Sequence, residues 1–201
     1  MAASKPFPVV LIVASRGGPT AVSAVLQSFP RDFGAAVVVV QHRAALPGRT
    51  WLDTLRRVAP MRVEDVKPGE LLQPGTIYLA PSTSHARINA AGFFKVTDGT
   101  RIRGVLSSAN PLFESAGQNL GPRAIAVVLT GYGRDGTDGV QAIKAGGGVV
   151  IAQDEPSSRD FGMPASAIAT GAVDFIRPLD QIGPLVVELV EGQALAVTAG
   201  P

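Results

Sequence analysis

The chain predicts an α/β fold: a mostly parallel, doubly wound sheet of the Rossmann-like three-layer kind, carrying an antiparallel hairpin. Three observations predict it. Short β-branched runs alternate with segments of helical period, as in Val9-Val10-Leu11-Ile12-Val13-Ala14 followed by Val22, Val25, Leu26 and Phe29. The runs are continuously apolar, which suits strands covered on both faces. The 23 Gly and 16 Pro fall mostly as punctuation between these segments.

Taken in order, residues 9–14 read as a buried strand bounded by polar and Gly residues. After Gly17-Gly18, Pro19 suits a first helical position. Residues 36–40 form the next strand and close a βαβ unit. Trp51, Leu52, Leu55 and Val58 mark a helix, with Arg56-Arg57 on its solvated face, and 61–66 a strand. Residues 76–80 are a strand, and 86–88 with 93–96 flank Ala90-Ala91-Gly92 as a hairpin, read as an antiparallel addition to the sheet. Asn110-Pro111 pairs an N-cap with a first-turn proline for a helix to about residue 120. Strands follow at 124–129, 148–152 and 173–176, with helices near 137–145, 164–169 and 180–190. From Gly192 the chain reads as a frayed tail, giving one domain over 1–191 and a tail over 192–201.

Composition excludes several classes of function. An apolar fraction of 46% with 17% charged residues describes an ordinary folded protein. A formal charge of +2, with no Lys/Arg run, gives no reason to expect nucleic acid. Cysteine is absent, which removes disulfides, thiolate metal sites and cysteine nucleophiles together. With His42 and His85 the only histidines, a His-rich metal site is not expected, and no metal or organic cofactor is implied. No apolar stretch approaches the ~20 residues needed to span a bilayer, and the first residues lack a signal-peptide core. The expected location is the cytoplasm. Oligomeric state is not legible.

In open parallel sheets, ligands bind beyond the carboxyl ends of the strands, near the point where strand order reverses. Ser15, His42 and Asp135 all lie just past strand ends. The first two strands are parallel neighbours about 4.8 Å apart, so side chains at their tips come within reach of each other. A Ser–His–Asp set makes an activated nucleophile, recognised by geometry and not by chain order. Free N–H groups in Ser15-Arg16-Gly17-Gly18, at the start of a helix, suit an oxyanion. The same turn also suits a phosphate, but it lacks the spacing of the dinucleotide fingerprint and of the P-loop. On spacing alone, the triad and ordinary structural roles stand level. A Ser after a strand commonly caps a helix or sits in a turn, and an Asp before Gly commonly sits in a turn.

The same residues carry a resemblance over nearly the whole chain. Ser15 with Gly17-Gly18-Pro19, Val40-Gln41-His42 and Gly131-Tyr132-Gly133-Arg134-Asp135-Gly136 resemble the nucleophile, histidine and aspartate segments of the CheB-type protein-glutamate methylesterases of bacterial chemotaxis. Leu72-Gln73-Pro74-Gly75-Thr76-Ile77-Tyr78-Leu79-Ala80-Pro81, Ala152-Gln153-Asp154-Glu155-Pro156-Ser157-Ser158 and Phe161-Gly162-Met163-Pro164 look like further family segments, in the same order. The resemblance implies hydrolysis of glutamate methyl esters on the cytoplasmic domain of methylated chemoreceptors. In many members it also implies glutamine deamidation. Ser15, His42 and Asp135 would be the catalytic residues, with Arg16 and Tyr132 at the oxyanion and substrate.

The departures from the family pattern lie near that site. Arg16 stands where Thr is usual, Tyr132 where Met is usual, and Arg43-Ala44-Ala45 where Met-Pro is common. Residues 106–110 replace a more polar stretch. A reduced rate or altered substrate choice is therefore expected. Members commonly carry an amino-terminal receiver domain, and with Ser15 so near residue 1 none is expected ahead of it. His85 matches a family histidine and is assigned a structural role before the hairpin. Met163 suits either a site lining or loop packing. The leading function is a serine carboxyl-ester hydrolase of chemotaxis signalling. The rival is an impaired relative that binds a partner through the same surface, and a binder of small phospholigands at Gly17-Gly18 stands well behind both.

Overall fold

The computed structural model describes residues 6–42, 51–102 and 104–198. In chain order the elements are β1 (Val9–Ala14), α1 (Gly18–Gln27), β2 (Ala36–Gln41), α2 (Trp51–Val58), β3 (Arg62–Asp65), β4 (Thr76–Leu79), β5 (Ser84–Ile88), β6 (Phe94–Asp98), α3 (Asn110–Leu120), β7 (Ala124–Val128), α4 (Thr137–Ala145), β8 (Val149–Gln153), α5 (Gly162–Ile168), β9 (Phe175–Arg177) and α6 (Leu179–Thr198). Seven strands make one sheet in the order β3-β4-β2-β1-β7-β8-β9, and every pairing in it is parallel. From β1 the chain first builds outward through β2, then returns to build outward through β7. The boundary between β1 and β7 is thus where strand order reverses.

Alternation of side chains splits each continuously apolar strand between two cores. Val9, Leu11 and Val13 pack with Leu112, Phe113 and Ala116 of α3, Val140 of α4 and Met163 of α5. Val10, Ile12 and Ala14 pack with Val22, Val25 and Leu26 of α1 and Ile182 and Val186 of α6. Both faces are therefore covered, as the absence of polar positions in 9–14 requires.

The structure corrects three details. The β5–β6 hairpin is not added to the main sheet; it forms its own two-stranded sheet and packs Ala86, Ile88 and Phe94 into the α3 side of the core. Asn110 does not cap α3. That helix has Ala109 as N-cap with no side-chain cap, and Asn110 Oδ1 instead accepts the Gly139 N–H of α4 at 3.0 Å. The last helix continues through Gly192 to Thr198, because a single glycine costs only ~1 kcal/mol in a helix whose preceding turns are anchored by Ile182, Val186 and Val190.

Helices α3 and α4 approach closely enough to touch through their backbones. A Cβ at Gly117 would meet the Ala142 carbonyl oxygen at 2.3 Å, far inside van der Waals contact. This contact sets the spacing of the two helices, and the first residues of α3 border the carboxyl edge of the sheet.

Candidate active site

The carboxyl ends of β2, β1 and β7 lie side by side. Ala14 pairs with Gln41, so Ser15 and His42 occupy the next positions on adjacent strands, and His42 N–H donates to Ala14 O at 3.0 Å. On the other side, Ser15 N–H donates to Thr130 O at 3.0 Å. The buried Gln41 amide straps the first two tips together. Its Nε2 donates to both Ser15 O and His42 O, each at 3.0 Å. Gln153 does the same for the third: its Oε1 accepts the Thr130 N–H at 2.9 Å, and its Nε2 donates to Ser157 O at 2.8 Å.

Asp135 reaches His42 by a loop that crosses back over β1. At Gly131 that loop passes so close to β1 and α5 that a Cβ would stand 2.8 Å from Ser15 Cβ and 2.3 Å from Met163 Sδ. Only glycine fits there. Farther on, a Cβ at Gly136 would contact Val13 Cγ1 at 3.4 Å, which places Asp135 above β1 on the α3 side. His42 Nε2 and Asp135 Oδ2 are 2.8 Å apart. The carboxylate accepts this ring proton, which leaves Nδ1 as the nitrogen with a free lone pair.

Asp135 is 6% exposed and fully engaged. Oδ2 also accepts the Ala109 N–H at 2.7 Å, and Oδ1 accepts the Ser108 hydroxyl. Burial pushes its acidity toward the neutral form, but the hydrogen bonds from His42, Ser108 and Ala109 and the charge of His42 outweigh it. The carboxyl is held below its ordinary range. Ser108 and Ala109 belong to the 106–110 stretch that departs from the family pattern, but the sequence assigns neither of them a role at the site. They precede a helix with no motif of their own, and only the fold brings them under Asp135.

Both residues border turns, as ordinary structural residues there do: Asp135 lies in the turn closed by Thr137 N–H to Arg134 O at 3.2 Å, and Ser15 O accepts the Gly18 N–H at 2.9 Å, but neither caps a helix. The N-cap of α1 is Gly17, with no side-chain cap, so Ser15 does not cap that helix. Asp135 likewise does not cap α4, whose N-cap is Gly136. Ser15 is half-buried, and among the described residues no hydrogen bond joins its hydroxyl to His42. Among the described residues the Arg16 and Tyr132 N–H groups have no backbone acceptor.

The remaining candidates fall on the rim. Arg16 is exposed, with Nη1 3.9 Å from Asp160 Oδ2, a surface pair of small energy. Tyr132 is 79% exposed and lines a cleft of about 290 Å³ with Gly104, Val105 and Arg134. A second cleft of about 280 Å³ is lined by His42, Ser82, Arg101 and Ser107 and shares Gly104 and Val105 with the first. Met163 is fully buried, and its N–H donates to Gly131 O at 2.7 Å, so it packs beneath the loop and does not line a cleft. Arg43-Ala44-Ala45 lies outside the described residues. A smaller cavity of about 180 Å³ opens at the amino-terminal edge of the sheet beside Phe7, Val9 and Leu120, away from these residues. Among the described residues no helix is long and apolar enough to cross a membrane.

A family model described as CheB methylesterase matches residues 10–186. The protein-glutamate methylesterase FrzG of Myxococcus xanthus is 40% identical over 186 residues, which make up 92% of this chain and 56% of that protein. A protein-glutamate methylesterase/protein-glutamine glutaminase of Rhizobium meliloti is 37% identical over 96% of this chain and 54% of that protein. One of the same description from Pyrococcus horikoshii is 39% identical over 90% of this chain and 50% of its own. The chain thus spans about half the length of these relatives. The crystal structure of the Thermotoga maritima CheB methylesterase catalytic domain superposes with a TM-score of 0.87 at 33% identity, covering 92% of this chain and 99% of that one.

Proposed function

The chain belongs to the CheB methylesterase family, and from that premise we propose that it hydrolyses methyl esters of glutamate side chains on the cytoplasmic part of chemoreceptors. Ser15 is the nucleophile, His42 the base and Asp135 the carboxylate that orients it. The observation that carries this reading is the His42–Asp135 pair, 2.8 Å apart, at the strand tip beside Ser15. His42 Nδ1 takes the Ser15 proton as the oxygen attacks the ester carbonyl. The N–H groups of Arg16 and Tyr132 suit the oxyanion of the tetrahedral intermediate. His42 then protonates the leaving methoxide, and methanol departs. Water activated by the same base hydrolyses the acyl-enzyme, releasing glutamate and restoring Ser15. With a glutamine side chain the same steps release ammonia, an activity that the names of the Rhizobium and Pyrococcus relatives include. The chemistry occupies residues 1–191, and a cytoplasmic location goes with such a substrate.

A serine-directed phosphonate tests the nucleophile, and methanol release from methylated receptor membranes tests the substrate. Wild type is expected to label at Ser15. Ser15→Ala and His42→Ala should each abolish most methanol release, with the double variant losing little more, because residues acting as one unit are strongly non-additive. Losses that simply multiply would overturn the triad.

A further inference from the structure

His85 is the one other histidine of the chain, 4% exposed and without a part in the chemistry above. Its ring is satisfied at both nitrogens. Nδ1 accepts the Ser108 N–H at 3.1 Å, and Nε2 lies 2.8 Å from Thr100 O. A backbone N–H only donates, so Nδ1 is the acceptor and the ring proton sits on Nε2, donated to Thr100. His85 belongs to β5, whose pairing with Thr97 of β6 fixes its place. From there it clasps both ends of the 100–108 segment.

Directly beyond that clasp lies the acid of the proposed triad. Ser108 donates its hydroxyl to Asp135 Oδ1 while Ala109 N–H donates to Oδ2. A carboxylate is free to rotate about its last bond unless both oxygens are fixed. His42 fixes only Oδ2. The Ser108 amide would be a buried donor without a partner if His85 were absent, and relieving that would turn the 108–109 backbone away from Asp135. We propose that His85 and Ser108 are positioning residues for the reaction: His85 holds the 108–109 main chain so that Ser108 and Ala109 set the plane of Asp135 and, through it, the ring of His42. The inference rests on the triad reading. A neutral imidazole suits the place because it offers an acceptor and a donor on opposite sides of one rigid ring.

The test separates the two sides of that ring. His85→Asn keeps an acceptor near the Nδ1 position and gives up Thr100. His85→Gln keeps a donor near the Nε2 position and gives up Ser108. Ser15 labelling rates, kcat and KM are measured on the full chain for both, together with Ser108→Ala. Ser108→Ala and His85→Gln should slow labelling and kcat by about tenfold to a hundredfold, the loss typical of one hydrogen bond to a charged group. KM should hold in Ser108→Ala, and His85→Asn should keep most of the wild-type kcat. Wild-type kcat in Ser108→Ala overturns the proposal. So does His85→Asn as slow as His85→Gln, which would confine His85 to shaping the 100–108 loop. If thermal unfolding shows that the His85 variants do not fold, Ser108→Ala decides alone. Wild type that fails to label Ser15 defeats the triad reading itself. In that case the ¹⁵N shifts of the His42 ring decide, and shifts unmoved by Ser108→Ala overturn the proposal.

Discussion

Asp135 is the residue on which stability and chemistry meet. Its carboxyl titrates below the ordinary range in the folded chain, because the hydrogen bonds from His42, Ser108 and Ala109 outweigh burial. A folded-state pKa below the unfolded value contributes stability that is complete above the unfolded value, near pH 4, and is lost as pH falls through the folded one. Urea midpoints should therefore decline below about pH 4, and Asp135→Asn should flatten that decline. The same substitution should cost about 1–3 kcal/mol at neutral pH, since an amide cannot accept from all three donors. An unchanged acid slope would show that the carboxylate is not held by them. At Arg16 and Tyr132 the geometry moves the expected effect from kcat to KM. The Arg16 guanidinium faces Asp160, and Tyr132 stands exposed on a cleft wall, while the proposed oxyanion role falls to their backbone N–H groups. Arg16→Thr with Tyr132→Met should change KM by up to about tenfold, equivalent to ~1.4 kcal/mol, with kcat nearly unchanged. A clear rise in kcat would instead place the guanidinium's influence on His42.

At the scale of elements, the α3–α4 contact ties packing to the site. Nothing at Gly117 can yield to a methyl group, because the obstructing atom is the Ala142 carbonyl of the facing backbone. Gly117→Ala should destabilise by about 1–3 kcal/mol through overpacking, read as a lower Tm. It should also lower kcat, since α3 carries Ala109 at its start and any outward shift moves that N–H from Asp135. Normal kcat with a lowered Tm would uncouple the helix from the site. The sequence made the parallel elements legible because a strand such as 9–14, apolar at every position, needs cover on both faces. It made Ser15, His42 and the Gly131–Gly136 loop legible because local motifs flank each one. It flagged residues 106–110 only as a departure near the site and did not disclose the contacts of Ser108, Ala109 and His85, whose partners lie 15 to 27 residues away along the chain. Nor did it place the hairpin, since period-2 alternation fixes a strand's faces but not the sheet it joins.

The molecule as a whole adds a charge effect to these local ones. Its formal charge is only +2, too small for long-range steering by net charge. The distribution at the clefts is different. Among the described residues lining them, the charged groups are Arg101 beside His42 and Arg134 beside Tyr132, with the buried Asp135 already engaged. A receptor segment rich in glutamate, as the proposed substrate requires, would meet two exposed guanidinium groups at the mouth of the site. Exposed charges act over about a Debye length, roughly 10 Å at 0.1 M salt and 3 Å at 1 M. Raising salt across that range should therefore lower kcat/KM on an acidic peptide ester while leaving a small neutral ester almost unaffected. Arg101→Ala with Arg134→Ala should flatten the salt dependence on the peptide and raise its KM. The neutral ester keeps its rate in that variant because Ser15, His42 and Asp135 are untouched. Equal salt dependence for the two substrates would mean that salt acts on the fold or the chemistry. A peptide response that persists without the two arginines would assign the attraction to another part of the surface.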